Sequence, residues 1–492
     1  MSIAPPIQPD AAADDLAALE YRRDRIAHWD EIARRTEHRE GLGGYYHRRL
    51  TEIHRFLIPP GQRVLELGCG RGDLLAAVRP SSGVGVDLSP EMIRQAQARH
   101  PDLHFIQADA SDASIEGPFD FIILSDLVND LWDVQQTFER LRLFSTARTR
   151  IVLNFYSRLW EWPLALASRL GLAHPLLRQN WLTVEDVTNL LYLAGFETMR
   201  HWEEILWPVR TPLLDGVCNK FLVKLRPFKH GALTNFVLAR PLPQQQSTPR
   251  ATPPPKVSVV IAARNEAGNI ENIFRRTPQL GGGTELVFVE GGSTDDTYAA
   301  IERAIAAHPE VPAKLFKQTG KGKGDAVRTG FANAGGDVLM ILDADLTVPP
   351  EDLPRFYDAL VSGKGEFVNG VRLVYPMEKR AMRMANLAGN KFFSLAFSWL
   401  LGQPIKDTLC GTKVLWRDDY DLIAANRAYF GDFDPFGDFD LLFGAAKLNL
   451  KIVDLPIRYR ERVYGETNIQ RWRHGWLLLQ MVMFAARKLK FV

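Results

Sequence analysis

Residues 64–74 read VLELGCGRGDL, an apolar strand that runs straight into a loop where Gly68, Gly70 and Gly72 fall on alternate positions. Glycine lets a backbone turn sharply and lets a ligand come close. The helix predicted to begin near Asp73 adds N–H groups with no helical partner. A dinucleotide site usually spaces its glycines G-x-G-x-x-G, whereas this loop is G-x-G-x-G with the acidic Glu66 ahead of it. Twenty-one residues beyond Glu66 the strand GVGVD ends on Asp87, whose carboxylate can accept both hydroxyls of a ribose. A third strand leads into Asp109 and Ala110, where an adenine edge would lie. The spacing favours S-adenosylmethionine (SAM) over NAD.

Outward from this loop, short apolar runs alternate with helical patterns. Strands are expected at 63–66, 83–87, 104–107, 119–124, 150–155, 197–203 and 234–239, then at 257–262, 285–289, 314–317 and 337–342. That alternation predicts α/β domains on mainly parallel sheets. At 492 residues the chain exceeds what one core usually organises. The stretch 241–256, PLPQQQSTPRATPPPK, has the composition of an extended linker. The expected division is an N-terminal extension over 1–39, a domain over 40–240, the linker, and a second domain over 257–492.

A composition of 46% hydrophobic and 24% charged residues excludes a disordered or fibrous chain. A net charge of +2 gives no reason to expect nucleic acid as a partner. Cys69, Cys218 and Cys410 are widely spaced and odd in number, which argues against a disulfide framework or zinc site and for a reducing compartment. The first twenty residues lack the basic start and apolar core of a secretory signal, and no apolar run reaches the roughly eighteen residues of a membrane span. A cytoplasmic protein is expected.

In the first half VLELGCGRG, VGVDLSPEMI, FIQADA and FDFIILSD occur in the order and spacing of class I methyltransferases, and TVEDVTNLLYLAGFE resembles that family's late helix and turn. The resemblance implies a Rossmann-like sheet and SAM contacts by Glu66, Gly68, Gly70, Asp87, Asp109 and Ala110. Methyl transfer often needs only proximity and orientation, so no base can be read off. Tyr45, Tyr46 and His47 ahead of the first strand, and Asp126, Asn129 and Asp130 after the fourth, are candidates to line the acceptor.

The second half opens with VSVVIAARNEAGNIENIF, a buried strand that delivers Arg264, Asn265 and Glu266 to the sheet edge where α/β ligands bind. The next strand delivers Glu290, Ser293 and Asp295. The fourth, DVLMILDADLTVPPEDL, ends in Asp343-Ala344-Asp345. Two carboxylates this close at a strand tip call for a compensating cation, and Mg²⁺ or Mn²⁺ would also neutralise a departing diphosphate. The loop GKGKGD sets Lys321 and Lys323 among glycines, facing phosphate.

These segments resemble glycosyltransferase family 2, of GT-A fold, and within it the enzymes that load a hexose onto dolichyl or polyprenyl phosphate. AARNEAGNI, VEGGSTDDT and DADLTVPPE carry the likeness, followed by FVNGVR, DTLCGTKVLWR and LPIRYRERVYGETN. The resemblance implies an inverting transfer with nucleotide-sugar contacts by Ala262, Arg264, Glu266, Glu290, Asp295, Lys323, Asp343, Ala344 and Asp345. It places the metal on Asp343 and Asp345, with Asp345 dominant in catalysis, and the acceptor phosphate on Arg372, Lys413 and Arg462, beside Arg458 and Arg460. A hydroxyl acceptor would need a base, and Asp440 stands where the family places one, with Asp438 its neighbour. Two departures are Glu290-Gly291 in place of an acidic pair and Asn468 in place of a lysine.

From 451 to 492 there are nine Lys or Arg against three Asp or Glu. There WRHGWLLLQMVMFAARKLKFV suits a membrane surface or a buried helix, as does NKFFSLAFSWLLG at 390–402. The expected protein is a bifunctional transferase, peripheral on the cytoplasmic face of a membrane, that moves hexose from UDP- or GDP-sugar to a polyprenyl phosphate and methylates in the same pathway. Its rivals are a glycan hydroxyl acceptor, and a chain in which one domain is a silent binding module.

Overall fold

In the computed structural model of the chain the described residues are 11–36, 44–169, 177, 179–243, 253–372, 384–429, 439–457, 464 and 471–491. They divide between Leu242 and Pro243 into two compact units.

The first unit begins with helices α1 (Ala11–Thr36) and α2 (Gly44–Leu57). Its strands are β1 (Arg63–Leu67), β2 (Ser82–Asp87), β3 (His104–Gln107), β4 (Phe119–Ser125), β5 (Ser145–Tyr156), β6 (Phe196–Glu204) and β7 (Thr234–Pro241). They form one sheet in the order β3-β2-β1-β4-β5-β7-β6, parallel from β1 through β5, with β7 antiparallel to both neighbours. Apolar side chains fill both faces, as a sheet covered by helices requires. Leu65, Leu67, Ile122 and Leu153 pack on one side. Val64, Ile123 and Val152 pack on the other. The carboxyl ends of β1 to β6 and the amino end of β7 therefore share one edge. The helix expected at Asp73 is a single short turn, α3 (Asp73–Ala77), and α4 (Pro90–Arg99) is capped by the Ser89 hydroxyl, which accepts the Met92 N–H at 3.1 Å.

The second unit contributes β8 (Val257–Ala263), β9 (Thr284–Glu290), β10 (Ala313–Lys317), β11 (Val338–Ile341), β12 (Phe367–Val371), β13 (Lys413–Trp416) and β14 (Ile452–Pro456). The order is β10-β9-β8-β11-β13-β12-β14. β13 runs antiparallel to β11 and β12, so its first residue, Lys413, arrives at the edge that β11 leaves toward Asp343. The helices Met384–Leu401 and Arg471–Ala485 divide the two readings of their sequences. Phe393, Phe397, Leu478 and Met481 are core, while Phe392, Leu395, Trp476 and Met483 are exposed. No described helix is long and apolar enough to cross a membrane.

Candidate active sites

At the end of β1, Gly68, Gly70 and Gly72 all take left-handed backbone, with φ of 71°, 51° and 75°. A side chain on Gly70 would meet nothing within 4 Å, so the middle of the loop faces open space. Its N–H donates to Asp87 Oδ2 at 2.8 Å, and the Ser89 N–H donates to Oδ1 at 2.9 Å. Burial pushes the Asp87 carboxyl up, against the opposing pull of these N–H groups. The carboxylate expected to take the ribose thus also holds the loop in shape. Burial likewise raises Glu66 well above the usual carboxylate range, and its Oε2 has no partner among the described residues. Such an orphaned oxygen beneath the glycine loop fits a ligand carrying donors or positive charge, as SAM does.

Asp109 lies two residues beyond β3; its Oδ1 accepts from Ser111 and its Oδ2 pairs with Arg22 Nε at 2.7 Å. Ala110 is part of the apolar core beside it. Arg22 belongs to α1, within the N-terminal extension. Arg22 also reaches Asp112 at 2.6 Å. Asp30 accepts from the Ser89 hydroxyl and the Glu91 N–H, and Arg25 Nε donates to the Asp130 carbonyl at 2.9 Å. One helix thus crosses the loops after β2, β3 and β4. Its contacts there are largely polar, so apolar periodicity carries little signal for them.

Two of the acceptor-side candidates meet directly. Tyr46 Oη donates to Asp126 Oδ1 at 2.8 Å and Asn154 Nδ2 donates to the same oxygen at 2.7 Å. Asp126 sits at φ 54°, and burial, reinforced by nearby Asp130, pushes its carboxyl up to about 7. Asn129 is used structurally, its Oδ1 accepting the Tyr156 N–H at 3.0 Å, and Asp130 pairs with Arg25 at 3.6 Å. Tyr45 Oη accepts from Asn219 at 2.9 Å, and His47 is exposed. Asn154 and Asn219 were missed because they stand far from any motif.

In the second unit, Lys323 Nζ donates to Asp343 Oδ1 at 2.6 Å. Although burial opposes ionisation, Lys323, Arg372 and Lys413 hold the Asp343 carboxyl below its usual range. A Cβ on Gly411 would come within 2.2 Å of Asp343 Oδ2 and 2.3 Å of Lys323 Nζ, so only glycine lets the 407–413 loop close against this pair. Asp345 is half-buried and its Oδ1 accepts the Thr347 N–H and hydroxyl at 3.1 and 2.8 Å. Among the described residues no three acidic, His or Cys side chains converge on a metal position. Hard carboxylate oxygens from Asp345 and Asp343 nonetheless suit a Mg²⁺ or Mn²⁺ whose remaining ligands come from a donor's phosphates and water.

The remaining donor-side residues tie loops to one another. Ala262, the penultimate residue of β8, is half-buried, Arg264 is exposed and Ala344 is buried. The Glu266 N–H donates to Thr297 and its carboxylate accepts from Asn269 at 2.7 Å. Glu290 Oε1 accepts the Ser293 N–H, and Asp295 accepts from Thr297 and the Ala267 N–H. Tyr464, in the terminal basic segment, lies against Gly268 and reaches Asp295 at 3.4 Å.

The acceptor residues are placed differently from one another. Arg372 is forked onto Asp407 at 2.7 and 2.9 Å. Lys413 is fully buried, its Nζ turned onto the Cys410 carbonyl, behind Asp343 rather than on a surface an acceptor could touch. Asp440 is buried between Arg328 at 3.8 Å and Arg427 at 3.5 Å. Asp438, Arg458, Arg460, Arg462 and Asn468 lie outside the described residues.

Comparison with known proteins assigns both halves. Residues 64–144 match a methyltransferase domain family and residues 258–423 match glycosyl transferase family 2. The glycosyltransferase AglJ of Haloferax volcanii is 30% identical over 229 residues, covering 46% of this chain and 70% of that protein. The dolichol-phosphate mannosyltransferase of Pyrococcus furiosus is 39% identical over 229 residues, 44% of this chain and 59% of that one. A Mycobacterium tuberculosis glucosyl-3-phosphoglycerate synthase crystallised with Mn²⁺ and UDP aligns at 21% identity and TM-score 0.35, over 48% of this chain and 80% of that one. With sheets, glycine loop and aspartate pair as described, the chain belongs to glycosyltransferase family 2 and carries a methyltransferase domain ahead of its glycosyltransferase domain.

Proposed function

We propose that the second unit transfers a hexose from UDP- or GDP-sugar to a polyprenyl phosphate with inversion, on the cytoplasmic face of a membrane, and that the first methylates with SAM in the same glycan or lipid assembly. The observation that carries the sugar reading is the Lys323–Asp343 pair pressed against Gly411, with Arg372 and Lys413 adding positive charge around Asp343. It is supported by relatives whose names specify dolichol phosphate and undecaprenyl phosphate.

Asp343 and Asp345 would hold Mg²⁺ or Mn²⁺, which when bound neutralises charge on the leaving diphosphate. Lys323, held on Asp343 here, would pass to a donor phosphate when the sugar nucleotide binds. Arg372, its fork fixed by Asp407, and Arg462 take the acceptor phosphate, while Lys413 acts from behind by keeping Asp343 ionised. An acceptor phosphate has a second pKa of about 6 and arrives largely ionised, so Asp440 is free to serve the two arginines instead of acting as a base.

In the first unit the glycine loop, Glu66, Asp87 and Asp109 hold SAM, which supplies the methyl group. Tyr46 and Asn154 fix Asp126, whose raised carboxyl is suited to take a proton from the methyl acceptor near neutral pH. Transfer assays with polyprenyl phosphate, the matching polyprenol and an oligosaccharide test the sugar reading. Activity confined to the phosphate supports it; transfer to the oligosaccharide alone would install the glycan reading, with Asp440 as base. Absence of SAM turnover with intact SAM binding would leave the first unit a binding module.

A further inference from the structure

We propose that the methyltransferase unit docks its ligand-binding edge onto an anionic lipid surface, and that its methyl acceptor is an amphiphile held in that surface. β5 and β6 end, and β7 begins, on the edge that carries the glycine loop and Asp126, so the segments 157–169 and 205–231 both lie at that edge. They carry an unusual concentration of exposed apolar side chains. Trp162 is 82% exposed and Leu213 87%, and Leu159, Leu166, Leu225 and Phe228 are also open to solvent. Scattered exposed leucines need no explanation, but eleven large apolar side chains open to solvent within these two segments mark an interaction surface.

The charge of the same segments selects the partner. They hold seven Lys or Arg against two acids, Glu161 and Asp215. Lys224 and Lys229 are spent on Glu204 and Glu203. Arg158, Arg169, Arg210, Lys220 and Arg226 are exposed among the apolar residues. Tryptophan and aliphatic side chains interspersed with unburied basic ones match an interface of acyl chains beneath anionic headgroups.

Hydrogen bonds join the two segments to each other and to α2. Trp160 Nε1 donates to the Gly231 carbonyl at 3.0 Å, joining the two segments. Asn219 bridges Trp207, through its N–H at 2.8 Å and its carbonyl at 2.7 Å, to the Tyr45 hydroxyl. Tyr45 neighbours Tyr46, which holds Asp126. The shelf is thus tied to the helix whose Tyr46 holds Asp126. The statement about the acceptor rests on reading the first unit as a methyltransferase; the docking does not.

The three native cysteines are buried, so an introduced surface cysteine can be labelled selectively in the full chain. With an environment-sensitive fluorophore at Leu213→Cys, vesicles of phosphatidylglycerol and phosphatidylcholine should raise emission by about twofold or more, as transfer into an apolar interface does. Phosphatidylcholine alone, or raised salt, should give much less. The same label at Ala147→Cys, at the opposite end of β5, should not respond. An unresponsive Leu213 probe on vesicle-bound protein would place membrane contact elsewhere and overturn the docking. So would failure to bind vesicles, an equal response at residue 147, or a response to protein concentration alone, which would indicate a second copy. SAM binding measured alongside separates failure of docking from failure of the methyltransferase reading.

Discussion

The two units face the same difficulty, carboxylates gathered at a sheet edge, and resolve it in opposite ways. In the first, Asp87 is met by the backbone N–H groups of Gly70 and Ser89, and burial leaves its carboxyl raised. In the second, Asp343 is met by Lys323 with Arg372 and Lys413 nearby, and its carboxyl is lowered despite burial. Backbone dipoles suit a ligand that presents hydroxyls and a single positive charge. A lysine balanced on an aspartate suits a diphosphate, because the lysine can change partners when a larger negative charge arrives.

The sharpest break of that contrast is Asp345→Ala. Sugar transfer should fall by on the order of a thousandfold, as loss of a main electrostatic stabiliser does, while SAM affinity measured by calorimetry stays at the wild-type value. Retained transfer would remove the metal reading.

A smaller effect is expected at Asp126. Methyl transfer should rise with pH through about 7, where the raised carboxyl ionises. Asp126→Asn should remove that inflection and cost about a hundredfold. The sign for stability is opposite. Because the folded carboxyl holds its proton more tightly than the unfolded one, stability is lost as pH rises from about 4 to about 7. The Asn variant should therefore gain in Tm relative to wild type at pH 8 compared with pH 4.

Lys323→Met should lower sugar transfer by roughly tenfold to a hundredfold, the value of one contact to a charged group. Combined with Asp343→Asn it should cost less than the two single effects summed, since the residues act as a pair. Additive losses would show that the lysine and aspartate work separately.

In the first unit, Asp87→Ala should weaken SAM binding by about tenfold or more. Arg22→Ala should do so only a few-fold, because that ion pair is partly exposed and screened. Equal losses would make α1 as important as the glycine loop.

The sequence by itself determined the two α/β domains, the first eleven strands, the glycine loop with Asp87, and the aspartate pair with its lysine loop. All of these are local patterns, an apolar run ending in a few residues whose types and spacing can be read off the chain. The tertiary structure alone decided what reaches those patterns from afar. It brought α1 across the loops after β2 and β3 through Asp30 and Arg22, polar contacts that hydrophobic periodicity cannot register. It set Asn154 on Asp126 and turned a candidate lining residue into a raised carboxyl. It ran β13 antiparallel beside β11, which carried Lys413 behind Asp343 and buried a lysine that its motif alone assigned to the acceptor. Burial, register and the partner of a charge are sums over distant residues, and a motif contains only its own.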